Sequence, residues 1–86
     1  MYIMKRFLTI KCQRIIEEIY DKKEISFKDQ TIFKDRYHFK KVMELLEKTE
    51  IIKVRRFFNK EGLLCVKYKL TWDGVILWEE YLKNFQ

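Results

Sequence analysis

The chain has no proline and no alanine, and only two glycines, two cysteines, one histidine and one serine among its 86 residues. Each shortage removes a class of protein. Cys12 and Cys65 stand far apart with no second Cys or His nearby, which is neither a zinc-ligand spacing nor a disulfide framework. A reduced, cytoplasmic setting is the expectation that follows. One His, one Ser, no glycine-rich phosphate loop and no clustered carboxylates leave little from which to assemble an acid, a base and a nucleophile. No enzyme, no metal site and no cofactor are expected. Lys, Arg, Glu or Asp interrupts every apolar stretch well short of the roughly 20 residues of a membrane span. The first residues carry Lys5 and Arg6 inside an apolar pattern and offer no small-residue cleavage site, so no signal peptide is expected.

What is present is apolar and charged residues in bulk, 48% and 37%, the balance of a globular rather than a disordered chain. The length fits one small domain. Seven Phe, five Tyr and two Trp supply large apolar areas to a domain whose surface-to-volume ratio is unfavourable, and a partner subunit is a common remedy at this size. The ten Ile and fourteen Lys fit either an AT-rich coding sequence or a thermophile's preference for Lys and Glu. A net charge of +6 turns attention to nucleic acid or an anionic surface, subject to where the cations lie.

Apolar residues recur at helical spacing from Met4 through Phe7, Leu8, Cys12, Ile15, Ile16 and Ile19, which predicts a helix over 3–20. Residues 25–27 form a brief strand-compatible piece. Ser26 and Asp29 have the spacing of a helix N-cap, and a short helix over 27–33 would turn Ile32 and Phe33 inward. Asp35 then caps a helix over 36–48 whose apolar face is Phe39, Val42, Met43 and Leu46. Its first turns carry Arg36, Tyr37, His38, Lys40 and Lys41, and the acids Glu44 and Glu47 come later. That order opposes the helix dipole and costs a few tenths of a kcal/mol in isolation, a cost that makes sense if the end faces phosphate.

Two strand-like runs, 51–58 and 63–70, flank Asn59, Lys60, Glu61 and Gly62. Pairing Asn59 with Leu63 keeps Ile52, Val54 and Phe58 on one face with Leu64, Val66, Tyr68 and Leu70, whereas a one-residue slip would split the apolar set. The preferred register implies a three-residue loop with Gly62 left-handed. Lys53, Arg55, Lys67 and Lys69 then share the opposite face, and Arg56 falls on the inner face near the tip. Thr71 caps a last helix over 72–85. It is apolar on nearly all sides, so one face fits the core and another needs a second surface. Trp78, Tyr81, Leu82 and Phe85 are the expected contacts of a homodimer.

This order of elements resembles the winged helix-turn-helix family over nearly the whole chain. The segment ISFKDQTIFKDRYHFKKVMELLEKTEIIKV, from Ile25 to Val54, is similar to the family's strand, two helices and opening of the wing. The run Tyr68-Lys69-Leu70-Thr71-Trp72-Asp73-Gly74 looks like the Y-x-L-T-x-x-G that closes the wing in MarR- and PadR-like regulators. The brevity and the Ile and Lys bias are similar to those of small winged-helix proteins of archaea and their viruses. The chain departs from the pattern in its short second helix, in a turn without glycine, and in a recognition helix lacking a Ser/Thr/Gln-rich start.

The resemblance implies an α+β fold, a three-helix core with a β-hairpin wing and a C-terminal helix. It also implies a transcriptional regulator that binds a palindromic site on double-stranded DNA as a homodimer. Residues 36–48 would be the recognition helix, with Arg36, Tyr37, His38, Lys40 and Lys41 at the major groove. Arg55, Arg56, Asn59 and Lys60 of the wing would reach the flanking backbone or minor groove. Arg36 has the fork for guanine, and Lys40 and Lys41 suit phosphate. Two other readings stand beside it. A winged-helix domain can dock proteins instead, and Tyr37 and Phe57 could stack on single-stranded bases. Convergence of the cations on one concave surface favours duplex DNA; dispersal, or neutralisation by Glu44, Glu47 and Glu61, favours a protein partner.

Overall fold

A computed structural model of the chain describes residues 9–82. Thr9 has extended backbone, and its hydroxyl accepts a hydrogen bond from the Cys12 N–H at 3.2 Å, so it caps the first helix, α1 (Ile10–Lys22). The helix expected over 3–20 is corrected to this range; its part before Thr9 lies outside the described residues. Cys12, Ile15, Ile16 and Ile19 are buried along one face. Strand β1 (Glu24–Ile25) follows.

The helix expected over 27–33 is replaced by one 3₁₀ turn at Phe27–Asp29, after which the chain runs without helix as far as α2 (Arg36–Lys48). Gln30 is the physical reason. Its side chain is buried, and its Nε2 donates to the carbonyls of Phe27 (3.2 Å) and Phe33 (2.7 Å). Its Oε1 accepts from the N–H groups of Ile32 (3.0 Å) and Phe33 (2.8 Å). A side chain that satisfies four main-chain groups removes the need for a helical ladder there. Phe33 still turns into the core.

Helix α2 has the bounds that its spacing predicts. The Asp35 carboxylate accepts from the His38 N–H at 3.1 Å, and Phe39, Met43 and Leu46 are buried. Its C-terminus closes with the Ile51 N–H on the Leu46 carbonyl (2.9 Å) and the Glu50 N–H on the Glu47 carbonyl (3.0 Å). The residue between, Glu50, has φ 63°, a left-handed position that usually falls to glycine.

Strands β2 (Ile52–Phe58) and β3 (Leu64–Leu70) pair antiparallel, with Ile52 opposite Leu70 and Phe58 opposite Leu64. This is the register that side-chain parity favours, and Gly62 is left-handed at φ 79°. Strand β1 joins the free side of β3, Glu24 opposite Lys69 and Ile25 opposite Tyr68, giving the order β1-β3-β2. Among the described residues the fold is therefore α+β, three α-helices with a three-stranded antiparallel sheet.

Helix α3 (Trp72–Glu80) starts at Thr71, whose hydroxyl oxygen accepts from the Gly74 N–H at 3.0 Å while its own N–H donates to the Ile51 carbonyl at 3.0 Å. It packs against α1. The rings of Tyr20 and Trp78 lie 6.0 Å apart, and the Tyr20 hydroxyl donates to Glu79. Trp78 is 6% exposed and Leu82 4%, so the expectation that they face a second subunit is corrected. They close this chain's own core because α1 offers the aromatic stripe a surface within the domain. Tyr81 remains 40% exposed, and Phe85 lies outside the described residues. The helix expected over 72–85 ends at Glu80, where the chain turns at Tyr81; residues 83–85 lie outside the described range. No described helix is long and apolar enough to cross a membrane.

Two substitutions at the junction of α2, β2 and α3 should act in opposite directions. A Cβ on Gly74 would overlap the Ile51 carbonyl oxygen. Gly74→Ala is thus expected to cost about 3 kcal/mol and to lower Tm by about 10 °C or more in a thermal melt. Glu50→Gly relieves the left-handed strain and should raise Tm by about 4 °C, a gain of roughly 1 kcal/mol.

Candidate nucleic-acid interface

The first turns of α2, the 3₁₀ turn and the inner face of β3 enclose a cleft of about 550 Å³. Phe27, Phe39, Leu64, Val66 and Tyr68 line its apolar part, and Lys28, Arg36, Lys40 and Lys67 bring four cations to it. Phe39 holds the arrangement together. Its ring meets Phe27 (5.2 Å), Phe33 (6.1 Å) and Tyr68 (5.3 Å) edge-on, a geometry favoured by the ring quadrupoles.

The expected site residues fall into three groups. Arg36 and Lys40 line the cleft, and Arg56 shares the inner face of the hairpin with Val66 and Tyr68. The Arg36 guanidinium lies 4.6 Å from the centre of the Phe27 ring, which fixes a long side chain against an apolar surface. Burial pushes the Tyr68 phenol above its ordinary pKa; Arg56 and Arg36 act against that shift, and Glu47 and Glu44 reinforce it. Helix α2 presents Arg36, Lys40, Glu44 and Glu47 at helical spacing along one flank.

Tyr37, His38 and Lys41 form the second group, exposed on α2 away from the cleft. The Lys41 ammonium lies 5.4 Å from the Tyr37 ring centre, and the His38 ring packs edge-on against Phe33 at 5.0 Å. Lys60 is exposed in the hairpin loop.

The third group is engaged elsewhere. Arg55 makes a two-pronged contact with the Glu24 carboxylate, Nε at 3.1 Å and Nη2 at 2.9 Å, and lies 4.4 Å from the Phe57 ring centre. This places it on the outer face of the sheet, away from Arg36 and Lys40, as side-chain parity predicts. The pair also holds Glu24 below its ordinary pKa. The exposed Asn59 uses its side-chain oxygen to accept from the N–H groups of Glu61 (2.9 Å) and Leu63 (3.0 Å) and so builds the turn.

Lys28 and Lys67 were not legible as site residues. Parity puts Lys67 on the outer face with Lys69, yet β1 ends at Ile25 and leaves that edge of β3 open beyond Tyr68. Lys67 reaches past the edge to Asp29 at 3.2 Å. The spacing of Ser26 and Asp29 was the available signal, since it fixes where the turn brings a carboxylate.

A smaller depression of about 400 Å³ near Glu47, Glu50, Lys53 and Asp73 carries three carboxylates, and it does not suit a polyanion. No family model, no curated protein and no solved structure matches the chain.

The acid dependence of the fold should report on Asp29. Hydrogen bonds from the Ser26 N–H and hydroxyl, together with the Lys67 ammonium, hold its carboxyl below the ordinary value, as Arg55 does for Glu24. A depressed pKa contributes stability above the unfolded-state value, about 4, and that contribution disappears as pH falls through the folded-state value. Urea midpoints are expected to fall below about pH 4, and Asp29→Asn should have a lower midpoint at pH 7 and a shallower decline in acid.

Proposed function

We propose that the chain is a winged-helix domain that binds double-stranded DNA and acts as a transcriptional regulator, with α2 as the recognition helix and the β2–β3 hairpin as the wing. One observation carries the reading. Lys28, Lys34, Arg36, Lys40 and Lys41 are clustered around the start of α2, and none forms an ion pair among the described residues. Uncompensated cations around one helix end are what a phosphate backbone requires, and releasing its counterions supplies the affinity. In this reading Lys40 and Lys41 hold phosphates, and Tyr37 and Arg36 lie nearest the base edges. Lys60 and Arg56 follow the flanking groove. The homodimer on a palindromic site belongs to the same proposal, with Tyr81 as the exposed member of the expected contacts.

A second reading, docking of a protein partner, draws on the pairing of Arg55 with Glu24 and of Lys67 with Asp29 and on the acids Glu44 and Glu47 along the cleft flank. Arg55 and Lys67 are thereby compensated locally, and Asp29 and the acids of α2 lower the positive potential beside Arg36 and Lys40.

Fluorescence anisotropy with a random duplex, titrated from about 50 to 200 mM salt, separates the two readings. DNA binding predicts a steep loss of affinity with salt, and replacing both Lys40 and Lys41 by Ala should weaken binding to every duplex and reduce the salt slope by about 2. No binding at the lowest salt would refute the reading, and an unchanged slope would remove both lysines from the contact.

A further inference from the structure

The inner face of the hairpin is apolar for most of its length, but the core beneath it is not as long. Burial fades outward from Ile52 and Leu70, which are buried, through half-buried Val54, Val66 and Tyr68 to the tip. There Phe58 is 72% exposed, Leu63 60% and Leu64 59%. Phe58 and Leu64 are direct cross-strand partners and form one apolar pair at the tip, while Leu63 falls on the opposite face. At the roughly 3.3 Å rise of a strand residue, the last few positions of each strand project about 10 Å beyond the core.

The tip is also stiff. The Asn59 N–H donates to the Leu63 carbonyl (2.9 Å) and the Gly62 N–H to the Asn59 carbonyl (3.0 Å), and the Asn59 side chain accepts two more hydrogen bonds across the loop. Insertion of such a tip orders little that is not already ordered. Exposed Arg56 and Lys60 flank it, and Glu61 is the carboxylate of the loop.

We propose that Phe58 and Leu64 form an apolar wedge that enters the minor groove of a bound duplex, unstacks a base step and bends the DNA. The proposal rests on the duplex-binding reading and adds to it a deformation of the ligand. Two side chains are too few for a standard protein interface, which uses about 20–30 residues on each side. They are enough for a wedge, since apolar residues that part a base step need little area. Position argues the same way, because Leu64 and Val66 line the cleft shared with Arg36 and Lys40. A duplex held by α2 would therefore bring its adjacent groove to the tip. Flexible pyrimidine–purine steps are the ones a wedge opens at least cost, so such steps are expected opposite the tip.

The test uses the full chain and a duplex labelled at both ends for energy transfer, with anisotropy on the same samples to read binding separately. The expected result is a bend of tens of degrees in the wild-type complex, within the range of about 20–90° for wedge-inserting proteins. The double variant Phe58→Ser with Leu64→Ser replaces two exposed side chains and should remain folded by circular dichroism. It should bind with an unchanged salt slope and roughly tenfold lower affinity, and leave the duplex nearly straight. A straight duplex in the wild-type complex, or an equal bend with the double variant, would overturn the wedge while leaving duplex binding intact. Absence of wild-type binding in the anisotropy would overturn both. Binding to anionic vesicles that is lost in the double variant, with no bend in DNA, would assign the tip to a lipid surface and overturn the wedge.

Discussion

The position of α2 depends on one buried ring. Phe39 is in edge-on contact with Phe27 from the 3₁₀ turn, Phe33 from the loop before the helix and Tyr68 from β3. The two segments that lead into the helix and a strand distant in sequence are thereby registered against its first turns. The cleft with its four cations exists because that ring sets the distance between the turn and the hairpin. Gln30 serves the same end from the main-chain side. It satisfies the polar groups of a segment too short and too irregular to satisfy its own.

Charge on this surface is sorted by what each cation meets first. Arg55 and Lys67 find carboxylates brought to them by β1 and by the 3₁₀ turn, so their charges are largely compensated locally. Both pairs are exposed to solvent and contribute little to stability. The cations at the start of α2 form no ion pair among the described residues, although Asp29 lines the same cleft and Asp35 caps the helix. An excess of +6 for the whole chain says less about a partner than this local contrast does, because potential near a surface follows the nearest uncompensated groups.

The junction of α2, β2 and α3 joins the two halves of the fold through the Ile51 carbonyl, which accepts from Thr71 and lies against Gly74. The Thr-x-x-Gly spacing, readable as a helix start, therefore has a second physical meaning. Threonine caps α3 and ties it to the strand, and glycine alone lets the helix approach the neighbouring backbone. Glu50 shows the opposite case, where the close of α2 tolerates a left-handed residue without glycine.

Periodicity and parity alone determined α2, the hairpin register, the left-handed Gly62 and the inward faces of α1 and α2. Those features follow from local sterics and from which face of an element must avoid water. Tertiary structure decided what local pattern could not encode. The segment after Ser26 became a 3₁₀ turn because a buried glutamine met its main-chain groups. Trp78 and Leu82 were read as surface for a second subunit because one face of α3 fits the core, yet α1 buries the second face within the same chain. Arg55 is tied to Glu24 of β1 and Asn59 to its own turn, partners that no local pattern names. An apolar stripe or a cation declares only what it needs; which neighbour meets that need depends on residues far away in sequence, and only the folded chain supplies them.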